Sequence, residues 1–590
     1  MRVVGEAQPD VMHRLRRGHS LGAVLLGTAA ERAGATVAVV DNRLSVAEQD
    51  GRRVLIEGPF CTETVTAARI VHDKVMTKSH LRQSSVPTPI GGLARSAEEA
   101  VRLVRSIPGT VVVKPRRGRD AQGVTVDVSS PADVRAAYRL ARRFGEQVLI
   151  EQYIDAEREI RIFSSDSEAY AAVRLILPAV TGDGRSTVRE LIAAKNQQRD
   201  ENPASFRQHI ATSATTKDFL ARQGLTLKSV PEDGSVVTVH NVGGMRAGGD
   251  SEQCLASLPE HVQRTAASSV AAIPGLAWSA VDILIERGTG KPYVIELNSG
   301  AEFGGATYPS TGEPHHVAGD MWRDMLSCAP LSGEFPTQSP PVHPSPQEIP
   351  LPPKSPRAGV TVQSLLHHYA ARHHLTTEST GLRLLALTAD DDQKSLFAAN
   401  GASDRDLMSA SRAVRDFSSQ RKLLIHGRVP RSRGRRVWKL QQVADLLDSS
   451  RAIQLIPAHK PWDSRRRILA KGFDSLTTDP FAQHKEWFAL VPASRRRLRV
   501  FLTGDEVFAL TASSRAGAFT QAEADAAVDV ARQALHAVPG LRWAAVDVYV
   551  QGSERRATAS VGGIAFNPRV STQDRLVSGN LDHLCEWLTS

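Results

Sequence analysis

Apolar residues recur along this chain in short blocks, and their spacing changes from helical to extended and back. The run Leu21 to Ala35, interrupted by Thr, Glu and Arg, reads as a buried helix; Val37 to Val40 and Arg53 to Ile56 read as short strands. From His72 the order becomes helix (TKSHLRQSSVPTPIGG), strand, glycine-rich turn and strand (TVVVKPRRGRDAQGVTVDV), helix (ADVRAAYRLARRF) and strand (QVLIEQYI). A similar order returns later. SLLHHYAARHHLTTESTG is followed by RKLLIHGRVPRSRGRRVWKL, by QVADLLD, and by WFALVPASRRRLRVFLTGDEVFAL, the last paralleling EQYIDAEREIRIFSSDSEAYAAV. Between the two series lies LSGEFPTQSPPVHPSPQEIPLPPKSP, residues 331–356, whose proline density favours an extended spacer over helix or sheet.

The repetition is plainest in two stretches about 265 residues apart. IPGLAWSAVDILIERGTGKPYVIELNSG begins at Ile273, and VPGLRWAAVDVYVQGSERRATASVGGIAFNPR begins at Val538. Each passes from a helix through Pro-Gly-Leu and a Trp into a strand ending in Val-Asp, then returns on a second strand. Repeated supersecondary order points to duplication. Aligning the returning strands on their terminal Asn sets Ala565 against Glu296 and Asn567 against Asn298.

At 590 residues the chain exceeds one hydrophobic core. The expected division is an N-terminal α/β domain over 1–70, a complete module over 71–330, a proline-rich linker over 331–357 and a second, degenerate module over 358–590. No apolar run reaches a membrane span, the amino terminus has no signal-peptide pattern, and four scattered cysteines show neither metal spacing nor a disulfide framework. These features predict a cytoplasmic protein with no membrane partner. The net charge of +10 suits an anionic ligand without naming one.

Chemistry concentrates before residue 305. Lys114, at the end of VVVKP, can reach phosphate oxygens, and the basic turn 116–123, with Gly118 and Gly123, can close over them with backbone N–H groups. A hairpin with a solvated basic tip is the competing reading. Lys74 opens a helix and offers a second phosphate contact. Val148 to Tyr153 is an apolar strand ending in polar groups, where the backbone can meet a flat heterocycle by its edge and Glu159 a ribose. Asp282 and Glu296 fall at matching places on adjacent strands, with Asn298 two residues on and so on the same face. Hard oxygen donors of this kind suit magnesium.

Taken in order, these pieces resemble the ATP-grasp superfamily, above all the ATP-grasp domains of cyanophycin synthetase and of the bifunctional glutathione-synthesising enzyme. The carrying motifs are Asp73-Lys74-x-x-Thr77 with Val86-Pro87-Thr88-Pro89, Val113-Lys114-Pro115 with its glycine loop, and Ile150-Glu151-Gln152-Tyr153-Ile154. They continue with Gly182 to Thr187 and Asn196, Gly248-Gly249-Asp250-Ser251, and Val281-Asp282 with Glu296-Leu297-Asn298. The resemblance implies an α/β (α+β) ATP-grasp fold with a short domain before it and a degenerate second half after it. It implies an ADP-forming carboxylate–amine ligase using ATP and Mg2+ on amino-acid or small-peptide substrates, through an acyl phosphate. By the same analogy Lys74 and Lys114 hold phosphates, Glu151 lies at the adenine hinge and Glu159 at the ribose. Asp282, Glu296 and Asn298 bind magnesium, and Arg161 and Arg174 face phosphate or substrate carboxylate. Relatives usually carry an Arg two residues before the Asn that precedes the Gly-Gly-Asp segment; here Val239 and His240 precede Asn241, and Arg246 or His240 is the candidate replacement.

In the second half the expected correspondences are His426 for Lys114, Gln363 for Lys74, Arg497 for Glu159 and Ala489 for Glu151, with Asp547 and Arg499 retained. Such a half is expected to serve as scaffold, dimerisation surface or docking platform, and a homodimer is the expected state. The cluster His367, His368, His373 and His374 lacks i, i+4 metal spacing and reads as a solvated helix face. The run from Arg431 to Arg436 beside Trp438 reads as an exposed basic hairpin in preference to a nucleic-acid grip, and nucleic acid is not an expected partner. The P-loop of a Mur-ligase-like partner domain does not occur in this sequence, which argues against cyanophycin as the product. No cysteine-ligase partner is recognisable, which argues against glutathione. The alternative function is a non-catalytic binding protein that docks an acidic macromolecule or carrier peptide.

Overall fold

The computed structural model describes residues 8–60, 63–117, 122–240, 244–328 and 339–352. It also describes 359–589 apart from 380–383, 389–393, 399–405, 449, 451, 459–467, 471–480, 482–485, 492–493, 495, 505, 554–555, 566–567 and 571–572. The chain mixes helices with predominantly antiparallel sheets. Its contacts separate into two compact units, one holding 1–34, 58–63 and 67–327, the other 35–57, 64–66 and 328–590. Residues 1–70 are therefore shared between the units.

The reason is chemical. The three-stranded sheet Thr36–Val39, Leu44–Gln49, Arg52–Glu57 carries acids that meet cations of the second unit: Glu57 pairs with Arg412, and Asp41 accepts from Lys422 Nζ at 2.9 Å. Backbone continues the attachment, with Val65 N donating to Asp406 O at 2.8 Å.

In the first unit a four-stranded sheet runs in the order Gly91–Ala94, Val148–Gln152, Val111–Pro115, Thr125–Val128. One face is dry. Val111, Val113, Val148 and Ile150 bury against Val134, Ala137, Tyr138 and Ala141 of helix Pro131–Arg142. That helix starts at Ser130, whose hydroxyl accepts from Asp133 N, with Pro131 at its first turn. The opposite face carries Lys114, Leu149 and Glu151, because side chains alternate along a strand. A second sheet is ordered Asp250–Gln253, Ala169–Ile176, Ala156–Ser165, Trp278–Glu286, Pro292–Asn298. Between them in sequence, strands Ala179–Thr181 and Val236–Thr238 close a small lobe with helices Val188–Arg199 and Ala214–Ala221 over Val180, Ile192, Ile210, Leu220 and Val237.

Among the described residues, the second unit repeats this plan without the small lobe. Its four-stranded sheet has the order Arg433–Val437, Trp487–Val491, Ile453–Pro457, Ile468–Ala470, and a six-stranded sheet includes Arg497–Thr503, Val507–Ser513, Trp543–Ser553 and Arg556–Ala565. Ile453, Leu455, Trp487 and Ala489 form its dry face. In both units the Pro-Gly-Leu turn uses a glycine in the left-handed region, Gly275 at φ 73° and Gly540 at φ 83°, where a side chain would be strained. In both, the Trp that follows is buried.

Strand register decides which residues correspond. Pro115 pairs with Val148 and Pro457 with Trp487; Gly91 pairs with Glu151 and Gly434 with Leu490. Asp73 and Asp416 each cap a ten-residue helix, Lys74–Gln83 and Phe417–His426. From Asp73 to Ala94 and from Asp416 to Val437 the two copies run without a gap, so Phe417 stands for Lys74, and Ile456 for Lys114. Leu490 stands for Glu151. The expected partners Gln363 and His426 are corrected. Gln363 lies on helix Val362–Arg372, and His426 ends a helix, because the apolar run Leu423 to Ile425 is helical. The Glu151 counterpart moves by one residue from Ala489. Arg497 for Glu159 holds, since Glu159 lies opposite Leu284 and Arg497 opposite Tyr549, each two residues beyond the strand Asp.

The returning strands shift as well. Asp282 pairs with Glu296 and Ala280 with Asn298, whereas Asp547 pairs with Gly563 and Ala545 with Ala565. Gly563 thus replaces Glu296, and Ala565 replaces Asn298. Alignment on the terminal Asn misses this by two residues, and Asn567 lies outside the described residues. Both copies carry the same register irregularity just after the Asp.

Part of the proline-rich segment is not a spacer. Val342–Glu348 pairs with Asp574–Gly579 as the end strand of the six-stranded sheet. Pro344 and Pro346 are tolerated there because an end strand needs hydrogen bonds on one side only. Of the histidines, His367, His373 and His374 are exposed, as a solvated face requires.

Candidate functional site

The first unit gathers a chain of charges on the wet face of its four-stranded sheet. Glu151, almost wholly buried, lies 3.0 Å from Lys78 Nζ and 2.6 Å from Lys114 Nζ. Lys78 also donates to Thr88 Oγ1 at 2.9 Å, and Thr88 donates to Val294 O at 2.8 Å, tying the helix to the strand that carries Glu296. Burial pushes Lys78 down to about 8, against the pull of Glu151. The two lysines outweigh burial at Glu151 and hold its carboxyl below the usual range, so it is charged at neutral pH. Gly91 makes room: a Cβ there would sit 2.2 Å from Ile150 O and 2.9 Å from Glu151 Cα.

Lys74 opens the helix capped by Asp73 and reaches Glu296 Oε1 at 3.0 Å. Asp73 also accepts from Arg116 Nε at 2.8 Å and Arg117 Nε at 3.2 Å, which anchors the start of the basic turn. Gly123 closes that turn in the left-handed region at φ 72°. Gly118 lies outside the described residues.

Asp282 and Glu296 stand directly opposite each other on adjacent antiparallel strands, and Asn298 shares the face of Glu296. Arg161 forks onto Asp282 with Nε at 2.7 Å and Nη2 at 2.9 Å, while Asn298 Nδ2 donates to Asp282 at 3.2 Å. The Asp282 charge is the main reason Arg161 is held more firmly protonated than usual. Glu159 lies next along the Arg161 strand and keeps solvent access. The surrounding protein volume raises its carboxyl, and Asp282 and Glu296 add to this while Arg161 opposes it. A face with two carboxylates and an amide oxygen supplies the hard donors magnesium takes, leaving further positions for water and phosphate oxygens. Among the described residues no three His, Cys, Asp or Glu side chains gather as a metal cage, at this face or elsewhere.

Two expected residues are not joined to this group by any contact the structure shows. Arg174 pairs with Glu252 across adjacent strands at 2.5 Å and is half exposed. Arg246 sits exposed on the short 3-10 turn Met245–Ala247. In the small lobe, Asp250 is held by Lys195 at 2.5 Å and Arg199 at 2.9 Å, and Asn196 bonds Ile210 O at 3.0 Å. Sequence reasoning missed Lys78 and Thr88 as members of the site. Lys78 is one helical turn from Lys74 and on the same face, which was the available signal.

The second unit keeps the Arg–Asp fork and loses the rest. Arg499 reaches Asp547 at 2.8 and 3.1 Å, in the register of Arg161 and Asp282. Where Lys74, Lys114, Leu149 and Glu151 stand in the first unit, Phe417, Ile456, Phe488 and Leu490 pack as one apolar cluster, with Phe417 and Phe488 edge to face at 5.1 Å. A charged face in the first unit is thus an apolar cluster in the second.

No protein-family model matches the chain. A cyanophycin synthetase from Nostoc sp. is 31% identical over 287 residues, covering 47% of this chain and 31% of that protein. The bifunctional glutathione biosynthesis protein of Enterococcus faecalis is 30% identical over 264 residues, covering 43% and 35%. The chain thus spans about a third of the length of the curated relatives it matches. Among solved structures, a bifunctional glutathione synthetase from Pasteurella multocida superposes with a TM-score of 0.44 and 22% identity, covering 52% of this chain and 44% of that one. An ATP-grasp ligase, PsnB, in complex with a minimal precursor gives 0.26 and 15%, covering 45% of this chain and 61% of that one. No described helix is long and apolar enough to cross a membrane.

Proposed function

We propose that the first unit is an ATP-grasp ligase that joins a carboxylate to an amine, releasing ADP, on amino-acid or small-peptide substrates. The observation that carries this reading is the one-for-one contrast between the copies. Lys74, Lys114, Glu151 and Glu296 occur together in one unit, and all four are replaced by apolar residues or glycine in the other. Two separate ion pairs, Lys74–Glu296 and Lys114–Glu151, are lost together, as expected if a single ligand engages both.

Lys74 and Lys114 are placed to take phosphate oxygens, each exchanging part of its present carboxylate contact for the ligand. Glu151, itself held by Lys78, fixes Lys114 from behind. Magnesium, bound by Asp282, Glu296 and Asn298, would supply charge neutralisation between phosphates, a role that suits phosphoryl transfer to a carboxylate. Arg161, already oriented by Asp282, presents its remaining N–H groups to an anion. Arg174 and Arg246, being exposed, are the candidates for contact with a substrate carboxylate or with the acyl phosphate. The amine then attacks that acyl phosphate, and inorganic phosphate leaves.

The test uses the full chain, ATP, Mg2+ and pools of amino acids whose carboxylates carry 18O. ADP formation with one 18O moved into inorganic phosphate, and a condensed product by mass spectrometry, is the expected result. A product that retains phosphate would make the chain a kinase. Absence of ADP with every pool would leave the non-catalytic binding protein.

A further inference from the structure

The second unit keeps a cation where it has lost the matching anion. Arg421 stands where Lys78 stands in the first unit, but the position of Glu151 is Leu490. Its guanidinium is buried, donates to Ser432 O at 2.8 Å and lies 5.1 Å over the Phe488 ring. Among the described residues it meets no carboxylate, and neither does Arg431, whose Nε is buried without a hydrogen-bond partner. Burial and the neighbouring Arg431 lower Arg421 to about 10, the mark of a cation with no local counter-charge.

More positive charge has gathered around it. Arg431, Arg433 and Arg436 replace Thr88, Ile90 and Leu93 of the first unit at gapless positions. With Arg421 and Lys422 they line a cavity of about 700 Å3. Among the described residues only two of the five have carboxylate partners, Lys422 with Asp41 and Arg436 with Glu486. One wall is a single face of helix Phe417–His426, which presents Ser418, Arg421, Lys422 and Ile425 at helical spacing. The other is strand Arg433–Val437, which ends its sheet and pairs on one side only, with Trp487–Val491. A groove between a helix and an end strand accepts an extended peptide by strand addition, with side-chain pockets setting specificity.

We propose that this groove is a docking site for an acidic peptide segment, laid along strand Arg433–Val437 with its carboxylates on Arg421, Arg431 and Arg433. Unmet guanidinium groups select multiple carboxylates, and the one-sided strand selects a polypeptide backbone over a compact phosphate ligand. The site is separate from the catalytic reading and stands or falls without it.

The probe is fluorescein-labelled hexaglutamate, followed by anisotropy with the full chain at low salt and again at raised salt. Saturable binding that weakens with salt is expected. Arg433→Ile and Arg431→Thr, which restore first-unit residues at the rim, should each weaken it about tenfold, the cost of one charge-assisted contact. Lys114→Met should leave it unchanged. Arg421→Met is a further arm, with Arg433→Ile guarding against misfolding because that side chain is exposed. No binding at about 1 mM peptide overturns the proposal. So does undiminished binding by the rim variants, or loss of binding in Lys114→Met. Tighter competition by tripolyphosphate or by an oligonucleotide than by unlabelled hexaglutamate also overturns it, in favour of a phosphate site.

Discussion

Glu296→Ala lowers ATP-dependent ADP formation by about 100- to 1,000-fold, the range seen when one preorganised electrostatic group is taken from a transition state. The unfolding midpoint should stay close to that of the unaltered chain, since Glu296 is partly exposed and its ion-pair partner Lys74 reaches solvent. The comparison between copies singles out this residue over its neighbours. The fork of Arg161 onto Asp282 survives as Arg499 on Asp547 in a unit whose other ligands are gone, so the fork serves the sheet as well as any chemistry. The residue directly opposite the Asp differs, Glu296 against Gly563, as does Asn298 against Ala565. Asp282→Asn is therefore expected to cost both activity and stability, because it strips a partly buried arginine of its partner. Initial rates by coupled ADP assay, read beside a urea titration, separate the two variants. Activity of Glu296→Ala within about threefold of the unaltered chain would remove Glu296 from the reaction.

Much of this site was legible before any coordinates, because its strongest signals are local. Pro-Gly-Leu, Trp and Val-Asp fix a turn and a strand within ten residues, and the strand opposite follows after a short hairpin; Asp282 and Glu296 could be placed face to face on that basis. What stayed hidden depends on register and on distant pairing. Leu423 to Ile425 reads like Val111 to Val113, yet one run continues a capped helix and the other crosses a sheet, and periodicity over three residues does not separate them. Likewise, the terminal Asn of each returning strand suggested an alignment that the irregularity after Asp282 and Asp547 shifts by two residues. Glu151 looked like a hinge residue at the end of an apolar strand. Its burial between two lysines required knowing that helix Lys74–Gln83 lies over that strand's wet face.

Glu151→Leu is expected to destabilise the first unit by about 3–5 kcal/mol near neutral pH, because it removes the one carboxylate between two enclosed ammonium groups and leaves Lys78 buried and unpaired. The sign of its pH dependence follows from Lys78. That lysine already sits near 8 with Glu151 in place, below its ordinary 10.5. Without the carboxylate it falls further, so the folded variant sheds the proton while the unfolded chain keeps it up to about 10.5. The unfolded state then binds more protons across that interval, and stability rises with pH. The unaltered chain gains in the same way above about 8, so the deficit of Glu151→Leu should shrink as pH rises towards 8 and level off beyond it, in urea titrations followed by tryptophan fluorescence. The second unit supplies the compensating set. Lys74→Phe and Lys114→Ile added to Glu151→Leu reproduce Phe417, Ile456 and Leu490, an arrangement that packs as a dry cluster there. The triple variant should regain at least about 1 kcal/mol over Glu151→Leu, since an apolar set of similar volume replaces a broken ion pair, and it should lose ATP binding altogether. A deficit for Glu151→Leu that is small and flat with pH would mean that water reaches Lys78 and that the lysines do not depend on Glu151. A triple variant weaker than the single one would mean that the two faces, though equivalent in register, differ in the volume they enclose.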